Sequence, residues 1–272
     1  MTERQKKRVT HGLIVTWTGA LLVFLYLPIL CVALASFSKA RYFRFPIPKY
    51  DSGWYEKAFE SLTVRDLVST SLSIALLVAL VSVVLAFFGA LAFARFDWRG
   101  RRIYQRLVLL PIFFPQAVLG LALLIWFSTV GIIPDWRTAV IAHLVWIVPI
   151  VTLVISIQAY SFDPALEEAA FDLGATRWQT LKEVTLPVLW PGVVSGALFA
   201  FITSFDEVVV VLFLADFDQR TIPLQMFSGL REQISPTILA VATILVTISI
   251  LLLTSVELLR RRSERLRGMT PQ

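Results

Sequence analysis

Asp206 and Glu207 are adjacent in a long apolar stretch, and two ionisable side chains in such a stretch indicate a functional role. Paired carboxylates can act as general acid and base when both face one reacting group. Successive helix positions differ in direction by about 100°, so these two carboxylates do not point the same way. The pair therefore disfavours an intramembrane enzyme. It predicts that one carboxylate faces a cavity or gate and the other meets a partner subunit or a helix end, and we assign the cavity to Asp206.

A structural hydrogen bond or an interhelical pairing is the alternative role for both carboxylates. His143, also within an apolar run, is interpreted as a neutral histidine that bonds a neighbouring helix. No other His or Cys is placed to complete a metal site with it, so no metal is predicted. Further polar or aromatic side chains could line a path, although aromatics in membrane helices more often pack or anchor. These are Gln116, Trp126, Trp146 and Gln158.

A second group of charges lies in "SFDPALEEAAFDLGATRWQTLKEVTLP", residues 161–187, which holds five acids and two bases between two apolar runs. Asp163 can cap a helix whose first position is Pro164. That helix is expected to run to Gly174, and a second short helix from 175 to 182 should end before Pro187. A helix–turn–helix that projects from the membrane is shaped to be bound by a partner. An amphipathic helix lying on lipid is the alternative, but its polar face would carry Lys and Arg.

The elements that position these groups follow from composition. Of the 272 residues 57% are apolar and 16% are charged, and the mean hydropathy is +0.75. About 20 apolar residues cross a bilayer as helix. Six runs qualify, at about 12–36, 67–94, 107–130, 138–160, 188–215 and 237–259. We therefore predict an all-α membrane protein of six transmembrane helices, a single domain over 1–272, with kinks at internal prolines.

The net charge of +6 arises from basic residues that flank the apolar runs, so lipid headgroups explain it better than nucleic acid does. Three basic clusters lie at the N-terminus, between spans 2 and 3, and at the C-terminus. With six spans all three share one side, which the positive-inside rule makes cytoplasmic. Both termini and segment 161–187 are then cytoplasmic. The 37–66 connection, with Tyr42, Phe43, Trp54 and Tyr55, fits the rule poorly and is interpreted as a structured outer cap.

The charged segment carries a family resemblance. Glu168-Ala169-Ala170, then Gly174 after three residues, then Val184-Thr185-Leu186-Pro187 after nine more, resembles the EAA motif of bacterial ABC importer permeases. That family has Ile where this chain has Val184. The resemblance implies a type I importer fold in which 161–187 is a cytoplasmic coupling helix seated in a groove of an ATPase. It assigns coupling to Glu168, Ala169, Ala170, Gly174 and Pro187.

Two further stretches, "SFDEVVVVLFL" at 204–214 and "TIPLQMFSGLREQISPT" at 221–237, resemble the second permease of spermidine/putrescine-type systems. This resemblance implies translocation of a small, polyamine-like amine, with an amino-acid derivative or opine-like solute as the alternative. Some polyamine permeases carry Asp after the proline of span 3, where this chain has Gln116 after Pro115. That departure weakens the case for a strictly polycationic solute.

The resemblance also implies partners: a homologous second permease subunit, a cytoplasmic ATPase dimer and an extracytoplasmic binding protein, all at the bacterial inner membrane. None of the six lysines follows a glycine, so the chain has no phosphate-binding loop of its own. ATP and Mg are therefore expected on the ATPase, with no cofactor and no covalent chemistry here. A self-sufficient secondary transporter is the remote alternative, which would show internal repeats and broken helices in both halves. The sequence shows neither clearly.

Overall fold

The computed structural model describes residues 3–40, 46–214, 220–232 and 236–266. Helices account for most of these ranges: α1 (Glu3–Ala35), α2 (Gly53–Glu60), α3 (Leu62–Ala94), α4 (Arg101–Leu109), α5 (Gln116–Thr129), α6 (Trp136–Ser161), α7 (Ala165–Asp172), α8 (Arg177–Thr180), α9 (Leu186–Phe205), α10 (Val211–Leu214), α11 (Ile222–Glu232) and α12 (Pro236–Leu266). A 3₁₀ turn covers Leu110–Phe113, and a π-helical turn covers Leu181–Thr185.

The chain divides into two compact units, residues 1–62 with 228–272 and residues 63–227. In the first unit α12 packs against α1 and α2. The connection after α1 is ordered by backbone bonds from Lys39 N to Lys49 O (2.9 Å) and from Asp51 N to Phe37 O (2.7 Å). The Trp54 indole donates to Ser38 O at 2.8 Å. The expected cap therefore has defined structure where it is described, while Tyr42 and Phe43 lie outside the described residues.

The second unit is organised around α3, α6 and α9, whose buried aliphatic side chains form one core. Glycines let α9 approach α6 closely. A Cβ on Gly192 would lie 3.1 Å from Gln158 Cβ, and one on Gly196 would lie 3.0 Å from Val151 Cγ1. Small residues at four-residue spacing bring membrane helices together because dispersion contacts, not the exclusion of water, drive their packing.

Within the described ranges, four helices are long and apolar enough to cross a membrane: Thr10–Ala35, Leu62–Ala94, Trp136–Ser161 and Arg177–Phe205. A fifth is reached if Arg101–Phe113 and Gln116–Thr129, which meet at a bend of 105°, count as one span. In the region of the sixth predicted span, α12 contributes a shorter apolar stretch, Pro236–Leu251. The structure thus confirms a helical, multi-pass membrane chain with four or five spans, and six remains a prediction.

Three sequence expectations need correction. The predicted span 107–130 is not one helix, because the chain turns sharply before Gln116. The predicted span 188–215 stops being helical after Phe205, and only the short α10 follows. The second short helix of the charged segment does not end before Pro187, because helix continues from Arg177 to Phe205. Proline lacks an N–H, and Pro115 directly precedes α5 at the first break. At the second break the buried Glu207 carboxylate accepts from the Val210 N–H.

Candidate functional site

The charged segment 161–187 begins its first helix as the sequence predicts. The Asp163 carboxylate accepts a hydrogen bond from the Ala165 backbone N–H at 3.0 Å. Pro164 has helical dihedral angles, φ −56° and ψ −28°, directly before α7. A side-chain acceptor here satisfies one of the backbone donors that a helix start leaves unpaired. The start of α7 is therefore fixed by residues within the segment itself.

Gly174 ends the same helix. Its φ of +86° lies in the left-handed region, where a side chain costs about 1–2 kcal/mol. Gly174 N donates to Phe171 O at 2.9 Å, and Ala175 N donates to Ala170 O at 3.0 Å. These two bonds define a Schellman motif, in which the residue after the C-cap is most often glycine. The prediction that Gly174 holds a turn is confirmed.

The second half of the segment starts with a capping box between Thr176 and Gln179. The helix then passes through the π-helical turn and reaches Pro187 near the start of α9. Proline lacks an N–H and removes a helical bond at its own position. A π-helical turn is an insertion in the α ladder that is often found at functional sites. The second half of the charged segment is thus continuous with a long apolar helix.

The two acids of α7 have different surroundings. Glu168 is exposed, as are its neighbour Ala169 and the turn residue Gly174, while Ala170 is half-buried. Glu167 is half-buried, and its carboxylate meets the Arg95 guanidinium at 2.5 Å. Sequence reasoning missed this contact. The signal was present, because adjacent helical acids point in different directions and cannot both face a partner.

Large apolar side chains are also exposed along the segment, outside the long apolar runs. Leu173 is 90% exposed and Trp178 is 69% exposed, and Leu166 and Phe171 are partly exposed as well. Exposed apolar patches mark sites that contact another protein or a membrane. We call Leu166, Glu168, Phe171, Leu173 and Trp178 the coupling surface.

The second candidate site lies where α9 ends. Asp206 is exposed, whereas Glu207 is only 6% exposed. The Glu207 carboxylate accepts from the Val210 N–H at 2.8 Å and from the Gln116 side-chain amide at 3.3 Å. The two acids have different surroundings, as predicted, but both follow Phe205, the last residue of α9, so the cause is the end of the helix and not the 100° rotation between helix positions. Glu207 meets a helix end, which is one of the roles foreseen for the second carboxylate.

Gln116 connects two interruptions of helix. It is the first residue of α5, directly after the 105° bend, and its bond to Glu207 joins this bend to the non-helical residues after Phe205. Gly120 of α5 lets the two regions touch, since a Cβ there would lie 2.8 Å from a Phe213 ring carbon. Interrupted membrane helices offer backbone N–H and C=O groups that a regular helix keeps paired. We call Gln116, Asp206 and Glu207 the acidic break.

The remaining sequence candidates are not gathered at the acidic break. Trp126 is about 15 Å further along α5 at a rise of 1.5 Å per residue, and its ring contacts Phe127. His143 is buried, and its Nδ1 lies 2.8 Å from Ser204 Oγ on α9, the helix-to-helix bond expected for a neutral histidine. Trp146 is half-buried on α6, and Gln158 packs against Gly192. Among the described residues no cluster of three or more His, Cys, Asp or Glu side chains could hold a metal ion.

Known proteins resemble this chain along most of its length. A family model described as "Binding-protein-dependent transport system inner membrane component" matches residues 82–265. The spermidine/putrescine transport system permease protein PotC of Haemophilus influenzae is 31% identical over 240 residues, covering 88% of this chain and 93% of that protein. The putrescine transport system permease protein PotI of Escherichia coli is 30% identical over 229 residues, covering 82% and 81%.

Solved structures show the same fold. A bacterial ABC transporter involved in the import of the acidic polysaccharide alginate matches with a TM-score of 0.74 at 18% identity, over 94% of this chain and 96% of that chain. A bacterial alginate ABC transporter in complex with its alginate-bound periplasmic protein matches with a TM-score of 0.70. The expected type I importer permease is thus confirmed. The chain belongs to the binding-protein-dependent transport system inner membrane component family, whose members are multi-pass translocation subunits of ABC importers and not catalytic enzymes.

Proposed function

We propose that this chain is one of two homologous permease subunits of an ATP-driven importer for a polyamine-type solute. A cytoplasmic ATPase dimer binds the coupling surface, and an extracytoplasmic binding protein delivers the solute. ATP-driven closure of the ATPases moves the coupling segments and switches the bundle between inward- and outward-facing states. ATP and Mg bind on the ATPase subunits.

The observation that carries the proposal is the coupling surface. It combines the exposed carboxylate of Glu168 with exposed apolar side chains that lie outside the predicted membrane spans. The left-handed backbone of Gly174 fixes the shape of this surface. A buried apolar centre with a polar rim is typical of protein–protein contacts. The second half of the charged segment, from Arg177, also continues directly into α9, so a partner that binds the segment lies next to a membrane helix.

The proposed solute rests on the relatives and on the acidic break. PotC and PotI are named for spermidine and putrescine transport. Asp206 supplies an exposed carboxylate beside the Gln116–Glu207 pair. A carboxylate attracts a cation strongly where water is scarce, because the effective dielectric constant is low. An ionisable group at membrane depth usually faces a cavity or a partner.

An amino-acid derivative or opine-like solute is the second candidate. Its support is Gln116, an amide at the position after Pro115 where some polyamine permeases carry an acid. An amide can donate to a carboxylate of the solute, which a polyamine lacks.

The proposed topology has six spans with both termini cytoplasmic. A reporter fused after Gln272 is expected to read cytoplasmic, and one inserted at Ser52 is expected to read outside, because five spans would separate them. Both reporters on one side would require an even number of crossings between them and would rule out the six-span arrangement.

One preparation tests the function. The chain is purified with its co-expressed neighbours, reconstituted in proteoliposomes, and supplied with labelled spermidine, putrescine, amino acids and opines. Co-purification of an ATPase and ATP-dependent uptake of a polyamine support the proposal. Uptake by the lone chain without ATP would instead support a secondary transporter. The two helix interruptions would then form its solute site. Uptake of an opine alone would favour the second candidate.

A further inference from the structure

Arg95 contacts both Glu167 and Phe162, although no role has yet been assigned to Arg95. It follows the last residue of α3, and its guanidinium meets the Glu167 carboxylate of α7 at 2.5 Å. A second guanidinium nitrogen donates to the Phe162 carbonyl, the C-cap of α6, at 3.4 Å. The guanidinium also lies 4.4 Å from the centre of the Phe162 ring. One side chain thus joins the ends of α3 and α6 to the first turn of α7.

Glu167 extends the connection to α9. Its other carboxylate oxygen accepts from the Thr185 hydroxyl at 2.6 Å. Thr185 is the last residue of the π-helical turn and directly precedes α9. The Arg95 and Glu167 side chains are only 11% and 24% exposed, so solvent screens this pair less than it screens a surface pair. The single carboxylate of Glu167 therefore links α3 and α9 through its two oxygens.

We propose that Arg95, Glu167 and Thr185, which we call the Arg95 clamp, are positioning residues that transmit movement of α7 to α3 and α9. This proposal rests on the proposed function, because it needs a partner that moves α7. Along the chain, α7 reaches α9 only through the Gly174 turn, which interrupts the helix. The clamp bypasses that turn. Because α9 ends beside Asp206, its movement reaches the acidic break.

A neighbouring ion pair provides a contrast. Arg101 lies 4.0 Å from Asp97, whose side chain is 99% exposed, and the two residues are only four positions apart in the chain. An exposed local pair of this kind is worth little. Arg101→Gln is therefore a matched control for Arg95→Gln. Thr185→Val removes the clamp hydroxyl but keeps the branched shape, and Thr185→Ser keeps the hydroxyl.

The experiment reports movement at the acidic break without requiring a known solute. Val209, which is partly exposed beside that site, is replaced by cysteine in a chain whose Cys31 is replaced by alanine. The complete complex with its ATPase is placed in proteoliposomes. Labelling by a membrane-impermeant maleimide is timed without nucleotide and with ATP plus vanadate, and ATP hydrolysis and retained ATPase are measured on the same samples.

In the parent complex ATP with vanadate should change the labelling rate by about fivefold or more, the lower end of typical coupling between distant sites. Arg95→Gln, Glu167→Gln and Thr185→Val should retain the ATPase and its basal hydrolysis while losing most of that change. Arg101→Gln and Thr185→Ser should behave like the parent. Movement that is lost while the ATPase stays bound supports transmission.

Two results would overturn the clamp. One is a full ATP-dependent change of labelling in Arg95→Gln and Thr185→Val. The other is loss of the ATPase from both variants, which would make the three residues a structural support for the coupling surface. A parent complex that binds no ATPase, or whose Val209→Cys labelling ignores ATP, would overturn the proposed function and the clamp with it.

Discussion

The turn at Gly174 and the turn after Phe205 both interrupt a helical path beside ionisable residues, yet different contacts hold them. At Gly174 two backbone bonds within six residues, Ala170 to Ala175, close the motif. After Phe205 the buried carboxylate of Glu207 caps Val210 and receives the amide of Gln116, which is 91 residues away. The first turn is local, and the second depends on tertiary structure.

This difference separates a surface from an interior site. The coupling surface keeps its shape by local bonds and so leaves Glu168 and Leu173 free to face a partner. The acidic break uses one carboxylate, Glu207, to hold two interrupted helices together and leaves the other, Asp206, exposed. Variants should therefore act on partner binding in the first region, and on solute uptake or stability in the second.

The largest effect is expected for Gly174→Val. A β-branched residue at φ +86° is strained and would break the Schellman bonds. We expect the ATPase to dissociate and uptake to be abolished, while membrane insertion is retained because the residue lies outside the spans. Co-purification of the ATPase and uptake in proteoliposomes measure this.

Gly131→Val is the matched control. Gly131 has φ +77°, and a Cβ added to it would meet no described atom within 4 Å. It also makes the same two kinds of bond, from Gly131 N to Ser128 O and from Ile132 N to Phe127 O. The variant should lose a similar stability of about 1–2 kcal/mol but keep the ATPase. Equal behaviour of the two variants would mean that only backbone strain is being measured.

The sequence predicted the parts that local chemistry decides. The Asp163 cap, the helix after Pro164 and the Gly174 turn follow from residue types within one segment. It also predicted the apolar runs and the different surroundings of Asp206 and Glu207. It did not predict the bend before Gln116 or the end of α9 at Phe205, because an apolar run looks alike whether its helix continues or breaks. The Arg95–Glu167 contact was missed because its two residues are 72 positions apart.

The next effect is expected for Glu168→Ala. A hydrogen bond to a charged group is worth about 1.5–3 kcal/mol, so affinity for the ATPase should fall by about tenfold or more. Titration of purified ATPase onto the permease complex in nanodiscs measures the change. The control is Glu183→Ala, which removes an exposed acid beyond the Gly174 turn; this variant should bind the ATPase with the affinity of the parent. Unchanged affinity in Glu168→Ala would remove that carboxylate from the coupling surface.

A smaller and more selective effect is expected for Asp206→Asn. The substitution keeps the size of an exposed side chain and removes its charge, so assembly and basal ATP hydrolysis should persist. The KM for spermidine uptake should rise by about tenfold or more, since loss of one ion pair worth at least about 1.4 kcal/mol lowers affinity by that factor. Putrescine carries fewer charges and should be affected less. Equal uptake of both solutes by variant and parent would leave Asp206 with a structural role.

The smallest effect on uptake is expected for Glu207→Gln, and its value is in the contrast with Asp206. Glutamine keeps an oxygen that can accept from Val210 N–H, and the Gln116 amide can turn to present its own oxygen to the new amide. The hydrogen bonds are thus replaced, and stability should fall by only about 0.5–1.5 kcal/mol. Basal ATP hydrolysis should change more than the KM for spermidine, because this carboxylate holds two helices and does not face the solute.

Glu207→Ala sharpens the same contrast. It leaves the buried Val210 N–H without its acceptor, which costs about 1–3 kcal/mol, whereas Asp206→Ala removes an exposed group that caps nothing in the described structure. In thermal unfolding in nanodiscs and hydrogen exchange at Val210, Glu207→Ala should therefore be less stable than Asp206→Ala. In uptake assays, Asp206→Ala should instead be the more impaired variant. If one variant proved worse in both measurements, the division of labour between the two carboxylates would be wrong, and the acidic break would act as a single unit.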